Sequence, residues 1–474
     1  MKRSLSAFGL ALAFCGTSAE AAASPGRACH LPGQDTPLRC LNVVVPRDYA
    51  QPQAGSIQLH VTIAPAFREK AKADPVFVLA GGPGQSGSSI IFLLEAGLQR
   101  VRATRDIVFI DQRGTGKSGK LSCDALQRSE TLDPDQAERE MVTCLKSLQP
   151  ELRYYTTRAA AQDMDKVRQY LGFAQINLWG GSYGTRLAQA YAHQFPKQLR
   201  SMVIDGVTSP QQNIGLMSGE TGRAFQLLRE SCEKDAGCHA KFPQFGQQLD
   251  SLMARAKRGD EIIRFRHPVT GKDSQVPLRF EGLGEAMRTM LYQPQIATRL
   301  PWLVQQAHQG NWQPLMAMWT SNTSWSQDSM AIGLTLAVLC GEDVAHITPE
   351  QAQAEISRSF LADGWTKKMQ RWCGVINVPP QPRPASGPLQ VPTLILSGQL
   401  DPVTPPQRAE EAMKFLPNSQ HIVAQQVGHI VSPHGCTARL LRQFYDEPSK
   451  KVDASCLKEI GKSPFVMSAA GAEP

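Results

Sequence analysis

NLWGGSYGTRLA, residues 177–188, passes from an apolar run into a helical pattern by way of Gly180, Gly181, Ser182, Tyr183 and Gly184. The spacing is G-x-S-x-G, and its position between a strand-like and a helix-like run is what gives it chemical meaning. A tight strand-to-helix turn holds its central residue in a strained backbone, and the flanking glycines remove Cβ clashes. Ser182 Oγ then stands clear of the sheet as a nucleophile. The following N–H, from Tyr183, faces a developing oxyanion at a helix N-terminus.

Working outward, four further runs share this shape: PVFVLAGGPG (75–84), DIVFIDQRG (106–114), SMVIDGV (201–207) and PTLILSGQLDP (392–402). Each is short, nearly continuously apolar, and ends in Gly or Asp. Such runs suit strands buried on both faces of a parallel sheet. Two strands precede them, in LNVVVPRDY (41–49) and SIQLHVTIAPA (56–66). In the second, Gln58, His60 and Thr62 alternate with Leu59, Val61 and Ile63, which predicts a half-exposed strand near a sheet edge. A helix is predicted over residues 156–172, with Ala160, Met164, Val167 and Leu171 on one face and Gly172 as its stop. Strands alternating with helices predict an α/β sheet with its site at the carboxyl ends of the strands.

The rhythm stops between residues 209 and 388. Helical stretches such as FQLLRESCEKD (225–235) and FGQQLDSLMARAK (245–257) dominate there, and six of the 7 Trp lie between Trp302 and Trp372, chiefly as core. The Pro-rich segment 377–392 leads back to the strand pattern. The expected organisation is therefore a mostly parallel central sheet with a large helical cap inserted after the sixth strand. In residue numbers, 1–23 form a leader, 24–208 the first part of the core, 209–388 the cap and 389–474 the rest of the core.

Composition narrows the function classes. At 474 residues and 42% hydrophobic content the chain is long enough for a large core. Lys2 and Arg3, the apolar run 5–16 and the small residues ending at Ala23 read as a secretory signal too short to span a bilayer, so an exported protein, periplasmic or secreted, is expected. A lipoprotein site at Cys15 is the alternative, disfavoured by the bulky Phe14. No later stretch is apolar enough to span a membrane. The net charge is +8, but Lys and Arg are scattered and aromatics make up 7%, which argues against a nucleic-acid surface. Ten cysteines remain beyond the leader: Cys29, Cys40, Cys123, Cys144, Cys232, Cys238, Cys340, Cys373, Cys436 and Cys456. An even number clustered in twos suggests nearest-neighbour disulfides in an oxidising compartment. His429 and His434 have a tolerable zinc spacing without an accompanying C-x-x-C, so neither a metal nor a cofactor is expected.

A serine nucleophile needs a base and an orienting carboxylate. His429, in QHIVAQQVGHIV, follows the last strand-like run beside Gly428; His434, in SPHGC, is its competitor. Asp401 lies just past a strand in a loop stiffened by Pro402 and Pro405, with Asp205 as the alternative. The chain order Ser182, Asp401, His429 is the one the α/β-hydrolase arrangement requires. The second oxyanion donor should come from LAGGPGQSG, where Pro83 lacks an N–H; of Gly81, Gly82 and Gly84, the preferred donor is Gly82.

DQRGTGKSG (111–119) contains a G-x-G-x-x-G and nearly a phosphate loop. Asp111 stands where the phosphate loop needs Gly, and no helix follows directly, so nucleotide binding is not expected. Its glycines are expected to let the turn pack beneath the catalytic loops, with Asp111 and Arg113 in a local ion pair.

Together GGPGQSG (81–87), DQRGTGKSG, GGSYG (180–184), SGQLDPVTP (397–405) and GHI (428–430) resemble the exported branch of the proline iminopeptidase and tripeptidyl aminopeptidase family of α/β-hydrolase serine peptidases. The resemblance covers residues 43–205 and 391–456, the second part being TAP-like, and in the middle segment extends only to a helical cap. It implies an aminopeptidase acting through an acyl-enzyme, releasing residues or short peptides from free N-termini. Ser182, Asp401 and His429 would be the triad and Gly82 and Tyr183 the oxyanion donors. Ala80 stands where proline iminopeptidases read His, which argues against a strict proline preference. An ammonium site calls for carboxylates in the cap, and by analogy Glu342, with Asp343 beside it, would bind the amine; a helix-terminal or surface acidic pair is the alternative. A carboxylesterase using the same triad is the alternative.

Overall fold

The computed structural model describes residues 26–123, 134–358, 364–382, 385 and 387–472; the expected leader lies outside these residues. The chain opens with strands β1 (Arg27–Cys29), β2 (Leu38–Pro46) and β3 (Ser56–Ala64). β4 (Val76–Leu79), β5 (Ile107–Ile110), β6 (Ile176–Gly181) and β7 (Leu199–Asp205) follow. β8 (Ile262–Arg266) and β9 (Asp273–Pro277) form a separate hairpin. β10 (Thr393–Gly398) and β11 (Ser419–Ala424) complete a nine-stranded sheet in the order β1-β2-β3-β5-β4-β6-β7-β10-β11. The six strands from β5 to β11 run parallel, and β1, β2 and β3 join them antiparallel.

The apolar runs occupy the middle of this sheet, and every residue of β4, β5, β6 and β10 is buried. Both faces need cover, and alternate side chains serve each. Leu178, Ile204 and Ile395 pack with Ala160, Met164 and Val167 of the helix Thr157–Tyr170. Trp179, Val203, Leu394 and Leu396 pack on the other side with Leu440, Leu441 and Tyr445. Burying each such aliphatic chain is worth roughly 1.5–3 kcal/mol. Register aligns the strand ends: Gly180 lies opposite Leu79, Gly181 opposite Asp205, and Leu396 opposite Asp205. The loops leaving these strands therefore emerge along one edge of the sheet.

Three expectations are corrected. β1 is too short to show a pattern, so the insertion follows the seventh strand rather than the sixth; β1 is held by pairing with β2 and by the Cys29–Cys40 disulfide. The inserted segment is not wholly helical, because Ile263 and Phe265 alternate inward in the β8–β9 hairpin. In β3, His60 and Thr62 are buried rather than half-exposed. The turn after β5 packs on His60, with Ser118 Oγ accepting the His60 N–H at 2.8 Å, and the Thr62 hydroxyl faces Cys40 and the His60 ring.

That turn adopts the packing its glycines permit, but not the expected ion pair. Asp111 accepts the N–H groups of Ser88 (2.8 Å) and Lys117 (2.9 Å), so it binds the loop after β4. Gly116 presses against the Asp111 carboxylate, leaving no room for a Cβ. Arg113 instead makes a bidentate pair with Asp163, both bonds at 2.7 Å, with both side chains buried. Five disulfides join Cys29–Cys40, Cys123–Cys144, Cys232–Cys238, Cys340–Cys373 and Cys436–Cys456, each linking neighbours along the chain.

Candidate active site

Ser182 occupies the turn between β6 and the helix Tyr183–Gln194, with φ 55° and ψ −124°. This is a left-handed φ that a serine holds only under constraint. The constraint is visible on both sides: Gly180 packs against the backbone of Gly184 and Thr185, and Gly184 against the carbonyls of Leu79 and Ala80. Neither position has space for a side chain. Ser182 is partly exposed while both its neighbours are buried, and its hydroxyl makes no capping bond to the helix it opens.

Asp401 and His429 meet at the same edge. His429 Nδ1 lies 2.8 Å from Asp401 Oδ2. The carboxylate is fully buried and accepts the N–H groups of Val403 and Thr404 and the Thr404 hydroxyl, each at 2.8 Å. Burial pushes this carboxyl up, but the His429 ring and the two backbone donors outweigh it and hold it below the usual aspartate value. The acid thus stays ionised and fixes the ring orientation. Gly206 packs against the His429 ring, and Asp205, one residue earlier, accepts the Ser182 N–H at 2.9 Å. Gly181 packs against Ile430. Ser182 and His429 therefore flank the same two turns. His434, the competing base, is half-buried in the turn before Cys436, its own N–H bonded to Val431 O at 2.9 Å.

The expected oxyanion donors border the serine. Tyr183 is the first helical residue, so its N–H has no acceptor within the helix. The loop after β4 passes close by: a Cβ on Gly81 would lie 3.0 Å from Ser182 Cβ. Gly82 has φ 107°, and a Cβ there would meet Gly84 N at 2.7 Å and Met330 Cε at 2.8 Å.

Glu342 and Asp343 are both buried, and each is engaged by partners within the protein. Glu342 is 5% exposed and accepts the Thr157 N–H (2.7 Å) and hydroxyl (2.6 Å). It thereby neutralises the positive end of the helix Thr157–Tyr170. Burial raises its pKa, opposed by the Arg186 charge and the Thr157 bonds. Asp343 is 1% exposed and holds Arg186 through two bonds of 3.0 Å. Both acids anchor the inserted segment to the core. The cues were misleading because helix caps and buried ion pairs use the same residues as amine sites.

The inserted segment also reaches the loops of Asp401, His429 and Gly84. Arg223 donates to the Asp401 carbonyl at 3.1 Å. The Tyr292 carbonyl accepts the His429 N–H at 2.9 Å, and its ring meets the imidazole edge-on at 5.0 Å. Ala331 N–H bonds Gly84 O at 2.9 Å, and Thr335 Oγ1 bonds Pro83 O at 2.6 Å. These contacts come from a part of the chain in which the sequence showed no strand rhythm to follow.

A strained serine after the central strand, a buried carboxylate–imidazole pair after later strands and a glycine-rich loop packed beside them define a hydrolase of the α/β-hydrolase fold. The family comparison agrees: residues 74–231 match the alpha/beta hydrolase fold family, and residues 358–456 match the TAP-like protein family, so the chain has the α/β-hydrolase fold. Among its relatives are serine peptidases. Serine protease Hip1 of Mycobacterium tuberculosis is 25% identical over 407 residues, covering 77% of this chain and 76% of that one. A tripeptidyl aminopeptidase of Streptomyces coelicolor is 31% identical over 196 residues, 37% of this chain and 36% of that one. A proline iminopeptidase of Neisseria meningitidis is 28% identical over 160 residues, 34% of this chain and 41% of that one. The resemblance carried by the sequence motifs thus extends to whole stretches of chain. Among the described residues no helix is long and apolar enough to cross a membrane, and no cluster of three or more potential metal ligands occurs.

Proposed function

We propose that the protein is an exported serine aminopeptidase that releases residues or short peptides from free N-termini through an acyl-enzyme. The observation that carries this reading is the 2.8 Å bond from His429 to the buried, ionised Asp401 beside a serine held at φ 55°. In this mechanism His429 removes the Ser182 proton as Oγ attacks the scissile carbonyl. The N–H groups of Gly82 and Tyr183 stabilise the oxyanion, and His429 then passes the proton to the departing amine. Water, deprotonated by His429, attacks the acyl-enzyme and frees Ser182. No cofactor is needed. The segment from 209 to 388 acts as the cap, and its contacts with all three loops support a role in excluding long substrates. Five disulfides suit an oxidising compartment.

Amine recognition falls to another cap acid. Glu285, on the helix Phe280–Met290, keeps a side chain 42% exposed although Arg288 engages it. Arg288 also donates to Tyr292 OH at 2.7 Å, and Tyr292 packs on His429. This partly exposed side chain, its carboxylate paired with Arg288, is three contacts from the base. The burial of Glu342 and Asp343 favours the second reading, a carboxylesterase, since it leaves the cap with fewer acids facing substrate.

The two readings separate on substrates. Turnover is to be measured on free-amine aminoacyl and tripeptidyl p-nitroanilides, on their N-acetylated forms and on a short-chain aryl ester, with Ser182→Ala as control. The aminopeptidase reading expects acetylation to abolish amide cleavage. Cleavage of acetylated and free peptides at equal rates, or of the ester alone, would overturn it.

A further inference from the structure

Asp205, at the end of β7, is a second buried carboxylate at the catalytic edge, and the mechanism above gives it no part. Its Oδ1 accepts the Val431 N–H at 2.8 Å, and its Oδ2 accepts Val431 N–H at 3.0 Å and Ser432 N–H at 2.7 Å. The Ser432 hydroxyl also donates to Oδ2, and Ser432 Oγ in turn accepts the Trp179 indole N–H at 2.9 Å. Every donor to the carboxylate lies on the two residues that follow Ile430.

Ile430 has φ 73°. A β-branched residue in the left-handed region is a strained outlier, and it persists only where its surroundings over-determine it. Before it, the His429 N–H is fixed on the Tyr292 carbonyl. After it, Asp205 is the fixed point. The requirement is for a carboxylate rather than an amide: three converging donor groups need an acceptor with no N–H of its own, and an amide would turn its NH₂ toward them. The Asp205 carbonyl meanwhile accepts the Ser182 N–H at 2.9 Å. One residue thus holds the nucleophile by its main chain and the loop of the base by its side chain.

We propose that Asp205 is a positioning residue, which keeps residues 430–432 in the strained turn that aims His429 at Ser182 and so sets the separation of base and nucleophile. This rests on the reading that Ser182 and His429 act together.

The test uses the full chain and its Asp205→Asn and Ser432→Ala variants. Initial rates on a free-amine tripeptidyl p-nitroanilide would give kcat and KM, a fluorophosphonate probe would report the rate of serine labelling, and thermal melts would report the folded fraction. A displacement of about 1 Å costs roughly 100-fold in rate, so folded Asp205→Asn is expected to lose ~100-fold in kcat and in labelling rate with KM nearly unchanged. Ser432→Ala keeps both backbone donors and is expected to lose less. Wild-type kcat in folded Asp205→Asn, or a lowered melting point with kcat per folded molecule intact, overturns the proposal. If Asp205→Asn does not fold, an unchanged kcat in Ser432→Ala overturns it. A wild-type enzyme inert to both substrate and probe overturns the serine-hydrolase reading itself.

Discussion

Two aspartates stand within reach of His429, and their surroundings divide the work between them. Asp401 meets the ring directly and is held ionised by it and by two backbone N–H groups. Replacing it with Asn keeps the shape but leaves the ring in the wrong tautomer, so kcat is expected to fall ~10⁴-fold, read as initial rates on the folded variant. For Asp205 burial dominates and lifts the carboxyl to about 6, despite the donors from Ser432 and Val431 and the charge of the His429 ring. An unfolded aspartate titrates near ~3.9. The folded protein therefore holds this proton more tightly, and Asp205 favours folding most below about pH 4. That contribution, about 3 kcal/mol at ~1.4 kcal/mol per unit, is lost as pH rises through 6. Relative to Asp205→Asn, the wild type should lose stability between pH 4 and pH 7 in paired denaturant melts; a constant difference would contradict this. These two roles were only half legible in the sequence. Chain order and position after a strand pointed to Asp401, with Asp205 as its rival, but the Val431 and Ser432 partners lie 226 and 227 residues from Asp205.

Among the elements, the runs that decide the fold were readable because their signal is local. Apolar runs ending in Gly or Asp became β4, β5, β6, β7 and β10, and the glycines around Ser182 have the tight contacts their motif requires. Two expectations about side-chain partners failed. Arg113 was expected to pair two residues away, yet its acid is Asp163, 50 residues on. Glu342 was expected to face substrate, yet it caps a helix that begins 185 residues earlier. The Arg113–Asp163 pair clamps the turn after β5 to that helix, and breaking one side leaves a buried charge. Arg113→Ala is expected to destabilise by about 3–5 kcal/mol, seen as a large drop in melting temperature. The surviving folded enzyme should keep its kcat, since neither side chain touches the site.

At the scale of the whole molecule, the inserted segment has a core built on Leu249, Leu283 and Leu315, and it shares a second with the rest of the chain, where Leu336 and Ile376 pack with Leu145. The second is stapled by Cys340–Cys373, which closes 33 residues around Glu342 and Asp343. Replacing both cysteines by Ala should lower stability by about 2–4 kcal/mol, measured by denaturant titration beside the wild type. The loss should be accompanied by lower activity, because the same staple fixes the acids that dock the segment on the core. Arg223, Tyr292 and the Ala331–Thr335 stretch place that docking directly on the loops that carry Asp401, His429 and Gly84. A chimera that imports another relative's segment to change selectivity would thus remove three supports from the chemistry along with the old pocket. Such grafts should be built around those contacts, transplanting the surfaces between them and leaving the handholds native.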